Sequence, residues 1–340
     1  MDWEGWLWPN HFGDPVAEHR AVRDGVGVWD ESPLRKWDFR GPDALRAADR
    51  IFTNDMLGLA PGQVRYAPFC DENGKMVGDG TVFKFDDRHA WVITALDSDL
   101  DHFREVVAGL EVAIEPITAD LPHVQLQGPR SRALLSALCG EAAGLGYFRF
   151  HPEQVQVGGV PAWVSRTGYS GELGYEIFCA PADAPALWET LTSAGAQPYG
   201  LAAVETLRIE SGLIFIGYDY FQHETNPFDV SLDKVVRLDT GDFHGRGALL
   251  ETAKNPPRRM VTLALEGGDV PEYGSAVTKD GEPAGMLTSP CESPTLGGVI
   301  GLAVLEAGYA QAGSRVEVGS AGATVEALPI YDVSKLRPRS

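Results

Sequence analysis

The sequence lacks the features of a membrane-spanning or disulfide-bonded protein. Its 340 residues contain no run that approaches the ~18 consecutive apolar residues needed to cross a bilayer. The first twenty residues mix acids with tryptophans, so no signal peptide is expected. The four cysteines are scattered, with no pair at CxxC spacing, which favours reduced thiols over a disulfide framework or a zinc site. These absences predict a cytoplasmic protein with no membrane partner.

Positive charge is also scarce. The chain has 28 lysines and arginines against 48 aspartates and glutamates, a formal net charge of −20. Such a charge repels nucleic acid and acidic membrane surfaces, so neither is expected as a partner. Solubility or adaptation to salt explains an acidic balance of this size, and a bias toward cationic substrates stays open as a second interpretation.

Several catalytic motifs are missing. There is no GxxxxGK[ST] phosphate loop and no HExxH motif, and the eight histidines are dispersed, so no metal site is expected. Residues 25–30 begin like a dinucleotide fingerprint but place Asp30 where the third glycine belongs, and 168–172 miss the GxSxG nucleophile elbow by one position. An enzyme without these motifs would draw its chemistry from a bound organic carrier or from carboxylates alone.

The pattern of apolar residues and turns predicts an α+β protein followed by a β domain. Residues 64–117 have strand, hairpin, strand, helix and strand character, with a turn at 71–74, and 124–212 repeat a similar alternation. From 258 to 331 short alternating strands replace the helical period, which predicts a small β-barrel or sandwich. The segment Asn255-Pro256-Pro257 is the expected linker.

Tryptophans are concentrated near the start of the chain. Five of the eight lie within the first 37 residues, at Trp3, Trp6, Trp8, Trp29 and Trp37. Packing in a core or between domains explains such a cluster. The alternative is an aromatic cage for a cationic substrate, for which Trp8, Trp29 and Trp37 are the candidates.

A series of motifs in a fixed order carries a family resemblance. The motifs occupy residues 17–23, 27–30, 41–44, 53–55, 71–79, 126–129, 166–177, 205–212, 242–246 and 288–290. The most specific is Arg-Thr-Gly-Tyr-Ser-Gly-Glu at 166–172. In this order and spacing the chain resembles the tetrahydrofolate-dependent glycine-cleavage T-protein (aminomethyltransferase) superfamily, over nearly its whole length.

The resemblance implies an α+β fold in which three domains form a ring around tetrahydrofolate. Residues 1–55 and 120–255 would form a discontinuous folate-binding α+β domain, and 56–119 a second α+β module. Residues 256–340 would form the C-terminal β-barrel domain. The folate would stand in the central cavity with its pterin end inward.

The same resemblance implies site residues. Glu176 falls on the family glutamate that grips the pterin, where a carboxylate accepts two parallel hydrogen bonds from the amino group and the adjacent ring N–H. Asp79 falls on the catalytic aspartate near the reactive nitrogens, where it would orient the N5 hydrogen and take up a proton. Tyr169 matches a tyrosine that lines the folate cavity. On sequence alone, Glu176 could equally face water and Asp79 or Tyr169 could serve a turn, while Arg208 and Glu210 are interpreted as structural.

The chain also departs from the T-protein pattern. Residues 31–35 read Glu-Ser-Pro-Leu-Arg where T-proteins read Val-Ser-His-Met-Gly, and Val204 replaces a folate-contacting arginine. The segments 71–74, 96–99 and 226–228 are similar to those of dimethylsulfoniopropionate demethylase. These departures favour the demethylase-like branch of the superfamily over glycine cleavage.

The expected function is therefore that of a tetrahydrofolate-dependent methyltransferase or demethylase. It would move a methyl group from a small donor, an onium or methoxy compound, to N5 of tetrahydrofolate. One alternative is an aminomethyltransferase of the glycine-cleavage type, which needs a lipoyl carrier protein that we do not expect as a partner. The other is a non-catalytic folate-binding protein, but the Lys-Gly-Cys-Tyr-x-Gly-Gln-Glu motif that marks this branch is absent.

Overall fold

Sheets of mainly antiparallel strands organise the chain in this computed structural model, which describes residues 1–239 and 241–340. In chain order the strands are β1 Asp2–Trp3, β2 Trp6–Leu7, β3 Gly27–Asp30, β4 Arg35–Arg40, β5 Gln63–Cys70, β6 Met76–Asp86, β7 His89–Thr94, β8 Ala113–Pro116, β9 His123–Gln127, β10 Val155–Val157, β11 Val160–Ser165, β12 Gly174–Cys179, β13 Gln197–Pro198, β14 Arg258–Leu265, β15 Ala276–Lys279, β16 Glu282–Ser293, β17 Gly298–Glu306, β18 Arg315–Val318 and β19 Ala321–Glu326. The helices are α1 Pro15–Asp24, α2 Ala44–Ile51, α3 Asp99–Val106, α4 Ser131–Leu138, α5 Gly140–Ala143, α6 Ala184–Ser193, α7 Leu201–Glu210 and α8 Arg246–Thr252. Among the described residues, no helix has the length and apolar character needed to cross a membrane.

The first sheet has the strand order β10-β11-β12-β9-β3-β13 and is antiparallel except for the parallel pair β13–β3. Helices α4, α5 and α6 pack on one face, where Leu126, Tyr175 and Ile177 are buried. Helix α1 lies near the other face and pairs with α7. Its start follows the local sequence, because the Asp14 side chain accepts a hydrogen bond from the Val16 N–H at 2.9 Å.

The second sheet has the antiparallel order β5-β6-β7-β4-β8 and carries helices α2 and α3. Strand β4 is hydrogen-bonded between β7 and β8, and helix α2 packs on the same sheet. The expected division at residue 55 assigned both elements to the other module. The structure corrects this and places both elements in the second module. The strands that pair with β4 come much later in the chain, so local sequence patterns do not reveal the pairing.

A closed six-stranded barrel of order β14-β17-β16-β15-β18-β19 follows the double proline at Pro256 and Pro257. Pairing of β14 with β19 closes it, and apolar side chains such as Leu263 and Leu287 fill its interior. The predicted C-terminal β-barrel is thus confirmed, and the sandwich alternative is not formed.

The two α+β modules pack against each other through the faces of their sheets. Phe83 of β6 and Phe178 of β12 meet edge to face with ring centroids 5.7 Å apart, and Trp91 of β7 meets Trp163 of β11 at 5.1 Å. Since alternate side chains of a strand share a face, residues two and four positions from Phe83 or Phe178 also face the opposite sheet. This rule places Asp79 and Glu176 at the contact between the modules.

We predict that Trp37→Ala destabilises the fold by about 3–5 kcal/mol, because it would leave a cavity in the core of the second module. Trp37 is 1% exposed and packs against Phe103. Chemical denaturation followed by fluorescence of the remaining tryptophans measures the change. The control is Trp6→Ala, since Trp6 is 37% exposed; equal shifts of the unfolding midpoint would contradict the prediction.

Candidate active site

Glu176 lies in a row of polar and aromatic side chains that crosses the first sheet. In the strand register, Ser165 pairs with Glu176, Glu176 with Gln125, and Gln125 with Trp29. Directly paired residues point to the same face, so this row faces the second sheet. Glu176 stays partly accessible, although Phe178 beside it is buried.

Hydrogen bonding and burial define the state of Glu176. The Thr167 hydroxyl donates to Glu176 Oε2 at 2.8 Å, and Thr167 Oγ1 lies 2.7 Å from Ser165 Oγ. Burial raises the pKa of Glu176 to about 7, while the hydrogen bond from Thr167 and the charge of Lys36 act in the opposite direction. Its proton is therefore exchanged near neutral pH.

Asp79 occupies the facing sheet, on β6. The Tyr220 hydroxyl donates to Asp79 Oδ1, and Tyr66 is a near neighbour of the same carboxyl group. Burial raises the pKa of Asp79, and the phenols of Tyr220 and Tyr66 offset part of that rise. Asp79 and Tyr66 both stay partly accessible, as Glu176 does. The arrangement fixes the direction of a carboxyl group that can hold or accept a proton.

Sequence reasoning missed both tyrosines. The register of the β5–β6 hairpin pairs Pro68 with Asp79 and Tyr66 with Thr81, so Tyr66 and Asp79 are diagonal neighbours on one face. Counting back from the turn at 71–74 would have found Tyr66. No local signal points to Tyr220, which is 141 residues from Asp79 in the chain.

Tyr169 belongs to the loop between β11 and β12. Its backbone N–H donates to Gln125 Oε1 at 3.1 Å, and its hydroxyl donates to the Ile214 carbonyl at 2.6 Å. Gly171 has φ +76°, and a Cβ there would lie 2.1 Å from the Ser211 hydroxyl, so only glycine fits. The side chain of Tyr169 is partly accessible, on the same side of the sheet as Gln125 and Glu176.

The structure does not bring the three candidate cage tryptophans together. Trp37 lies in the core of the second module, and its indole N–H donates to Thr94 Oγ1 at 2.9 Å. Trp8 and Trp29 contact each other in a tilted arrangement with ring centroids 5.2 Å apart, both are buried, and the Trp8 indole donates to the Asp30 carbonyl. The faces of these indole rings are covered by other side chains. The arrangement therefore corresponds to the core interpretation and not to a cage for a cation. Trp29 alone lies in the row of Glu176.

The helix α7 residues lie in buried networks that join modules. Glu210 accepts a hydrogen bond from Arg23 at 2.8 Å and from Ser293 at 2.5 Å, which links α1, α7 and β16. Arg208 pairs with Asp219 at 2.5 Å. Burial opposes ionisation of Glu210, but the His19 hydrogen bond and the Arg23 charge lower its pKa to about 2. These contacts support a structural role for both residues.

Two α+β modules that meet sheet to sheet, followed by a six-stranded barrel, define the fold of a glycine-cleavage T-protein. The crystal structure of aminomethyltransferase T from Bartonella henselae matches it with a TM-score of 0.88 at 24% identity, covering 98% of this chain and 94% of the other. The model of the GCVT N-terminal domain family matches residues 1–240, and that of the glycine cleavage T-protein C-terminal barrel domain matches 258–332. The chain belongs to the glycine-cleavage T-protein family.

Relatives within the family carry two different names. A trimethylamine-oxide aldolase of Ruegeria pomeroyi is 38% identical over 96% of this chain, which spans only 44% of that relative's length. An aminomethyltransferase of Rubrobacter xylanophilus is 39% identical over 89% of this chain and 82% of its own length. Aminomethyltransferases of the family use tetrahydrofolate in one-carbon transfer, so the expected superfamily, enzyme class and cofactor are confirmed.

The residues present suit a reduced pterin. A pterin edge offers an amino group and a ring N–H, and Glu176 offers a partly accessible carboxylate whose Oε2 is already held by Thr167. Facing it, the second sheet offers a proton-exchanging carboxyl group at Asp79 with two phenols. The donor set of the ligand and the acceptor set of the site are complementary.

Proposed function

We propose that this chain transfers a one-carbon unit, as a methyl group, from a small methylated donor to N5 of tetrahydrofolate. The observation that supports this most directly is the pair of partly accessible carboxyl groups, Asp79 and Glu176, on two sheets that face each other. One can bind the pterin edge, and the other can handle a proton at the reacting nitrogen.

The binding role belongs to Glu176 and Tyr169 in this proposal. Ionised Glu176 accepts the two N–H groups of the pterin edge, with Thr167 fixing the rotation of the carboxylate. Tyr169 forms part of the wall, since Gln125 and the Ile214 carbonyl hold it at both ends. The folate then lies between the modules in the central cavity of the ring.

The catalytic role belongs to Asp79. Tetrahydrofolate supplies N5 as the nucleophile that accepts carbon. Asp79, oriented by Tyr66 and Tyr220, holds the N5 hydrogen in place and takes up the proton that is lost. The buried aromatic contacts around Phe83 and Phe178 exclude bulk water, and the protein contributes mainly alignment of the reacting atoms.

General chemistry and one relative support an onium or N-oxide compound as the donor. An onium compound carries its own leaving group, so the site needs no further acid for it. The Ruegeria relative is named for trimethylamine oxide, a small methylated nitrogen compound, and it aligns with 96% of this chain. The departures at 31–35 and at Val204 support a reaction other than glycine cleavage, without a lipoyl carrier protein.

Aminomethyl transfer is the second candidate function. It is favoured by the 39% identity to an aminomethyltransferase, of which this chain spans 82%. That reaction would leave the folate carrying a methylene group and would require a lipoyl carrier protein. A folate-binding role without catalysis is the third, and it would leave the folate unchanged.

Product analysis separates these functions. Purified protein is incubated with tetrahydrofolate and a panel of onium, N-oxide and methoxyaryl donors, and the folate is analysed by mass spectrometry. A 5-methyl product supports the proposal. A methylene product that needs a lipoyl carrier supports aminomethyl transfer, and a methylene product formed without one indicates a donor that delivers carbon as formaldehyde. Binding without conversion contradicts an enzymatic role.

We predict that Asp79→Asn lowers kcat by about 10²–10⁴-fold while the folate Kd changes little, because the amide cannot take up a proton. Glu176→Ala is expected to weaken folate binding by roughly 10- to 100-fold through loss of charged hydrogen bonds. Turnover assays and calorimetric titration measure the two effects. Asp101→Asn, at an exposed position of α3, is the matched control. The reverse pattern would mean that the two roles are exchanged.

We further predict that folate affinity depends on pH through Glu176. Its pKa in the free protein is raised to about 7, and only the ionised form accepts the N–H pair. Affinity should therefore fall about tenfold per pH unit below 7 and level off above it. Titrations with a stable reduced folate across this range test the point, and Glu176→Gln should remove the slope. An unchanged slope in that variant would assign the titration to another group.

A further inference from the structure

A second carboxyl group lies on the same face of the first sheet as Glu176, on the other side of strand β9. Glu31 follows β3 directly, and its backbone N–H donates to the His123 carbonyl at 3.1 Å, which extends the β3–β9 pairing. Two residues beyond Trp29, Glu31 points to the same face as Gln125 and Glu176. Its side chain is 4% exposed.

A continuous chain of hydrogen bonds runs through Glu31. Gln125 Nε2 donates to Glu31 Oε2 at 2.5 Å, and His123 Nε2 lies 3.1 Å from the same oxygen. Gln125 Oε1 in turn accepts from the Tyr169 N–H at 3.1 Å. The His123 ring stacks on Phe178 at 4.6 Å with an interplanar angle of 6°, so its orientation is fixed. Glu31 thus connects the histidine to the loop that carries Tyr169.

Each carboxyl group accepts one hydrogen bond from a neighbouring side chain, but only Glu31 also contacts a histidine. Glu176 Oε2 accepts from the Thr167 hydroxyl, a contact that favours the carboxylate. Glu31 Oε2 faces His123 Nε2, and burial lowers the pKa of His123 well below its usual value, so the ring is neutral. A neutral imidazole nitrogen can accept a hydrogen bond from a protonated acid. The acid form of Glu31 therefore has an acceptor available at His123, whereas the side-chain contact of Glu176 is with a donor.

Charges from every surrounding element act on this pair. Burial, followed by the charge of Glu176 and then of Asp30, raises the pKa of Glu31, while the Gln125 hydrogen bond and Lys36 act against the rise. Lys36 reaches in from the facing sheet, where its ammonium group donates to the Ser32 and Leu34 carbonyls at 2.9 Å. Burial lowers the pKa of Lys36 to about 7. Tyr199 also faces the pair. The single positive charge that Lys36 can carry does not balance the negative charges of Glu31, Glu176 and Asp30.

We propose that Glu31 and Glu176 together hold a single proton and that this proton resides on Glu31. Glu176 is then the anion that accepts the N–H pair of the pterin. Glu31 is then a positioning residue. It acts through Gln125 on the Tyr169 loop. Because neutral Glu31 adds no second negative charge, Glu176 can stay ionised. The inference rests on the proposed function for the ligand, but the location of the proton is a property of the free protein.

The proton is located by infrared difference spectroscopy of the ligand-free protein at pH 8, above the pKa of about 7 that burial gives Glu176. Spectra of Glu31→Gln and Glu176→Gln are each subtracted from that of the wild type. Glu31→Gln should remove the C=O band of a protonated carboxyl group, and Glu176→Gln should remove a carboxylate band and leave the acid band in place. Glu115→Gln, on the exposed strand β8, is the matched control and should remove only a solvated carboxylate band. Loss of the acid band in Glu176→Gln, or its absence from the Glu31→Gln difference, overturns the proposal.

Folate binding provides an independent readout. Glu31→Val breaks the chain of hydrogen bonds to Tyr169 and should weaken the binding of a stable reduced folate by about tenfold or more. Glu31→Gln can accept from Gln125 and donate to His123, so it should recover most of that loss. Equal weakening in both variants, or none in Glu31→Val, contradicts the positioning role. Wild-type protein that binds no reduced folate contradicts the proposed function instead, and the infrared result still decides where the proton lies.

Discussion

The site depends on the packing of two sheets against each other. The contacts between Phe83 and Phe178 and between Trp91 and Trp163 bring the inner faces of the α+β modules together. Aromatic burial of this kind contributes a large apolar area and fixes the spacing of the sheets. Polar side chains on the same faces are then carried into the interior. Glu176 comes from one sheet and Asp79 from the other, so neither module alone contains the site.

Burial of carboxyl groups is unfavourable unless each one is bonded or neutralised, and the neighbours here meet that condition locally. Thr167 donates to Glu176, Tyr220 donates to Asp79, and the Lys36 amine lies between the sheets, where it donates to the Ser32 and Leu34 carbonyls. The strongly acidic composition of the chain therefore has little bearing on the site. What matters is which donor lies within hydrogen-bond distance of which oxygen, and these donors come from both modules and from the loop after α7.

Outside the site, buried ion pairs keep the modules in register. Arg23 of α1 contacts Glu210 of α7 and Glu172 of the β11–β12 loop, at 2.8 and 3.0 Å. Glu210 also bonds Ser293 of the barrel. Removing one partner from such a network would leave an uncompensated buried charge. The network therefore anchors the loop that carries Tyr169, which explains why the motif extends beyond the residues that face the second sheet.

The sequence by itself determined the family, the order of the elements and the barrel. The turn at 71–74 predicted the β5–β6 hairpin, and the motif at 166–177 pointed to Tyr169 and Glu176. Such signals are local, because caps, turns and motif loops are specified by a few adjacent residues. Only the tertiary structure decided that Trp37 is core, that β4 belongs to the second sheet, and which groups surround the carboxyls. Those contacts join residues far apart in the chain, 141 positions for Tyr220 and Asp79 and 94 for Gln125 and Glu31, and strand pairing and sheet packing at such separations leave no periodic trace in the sequence.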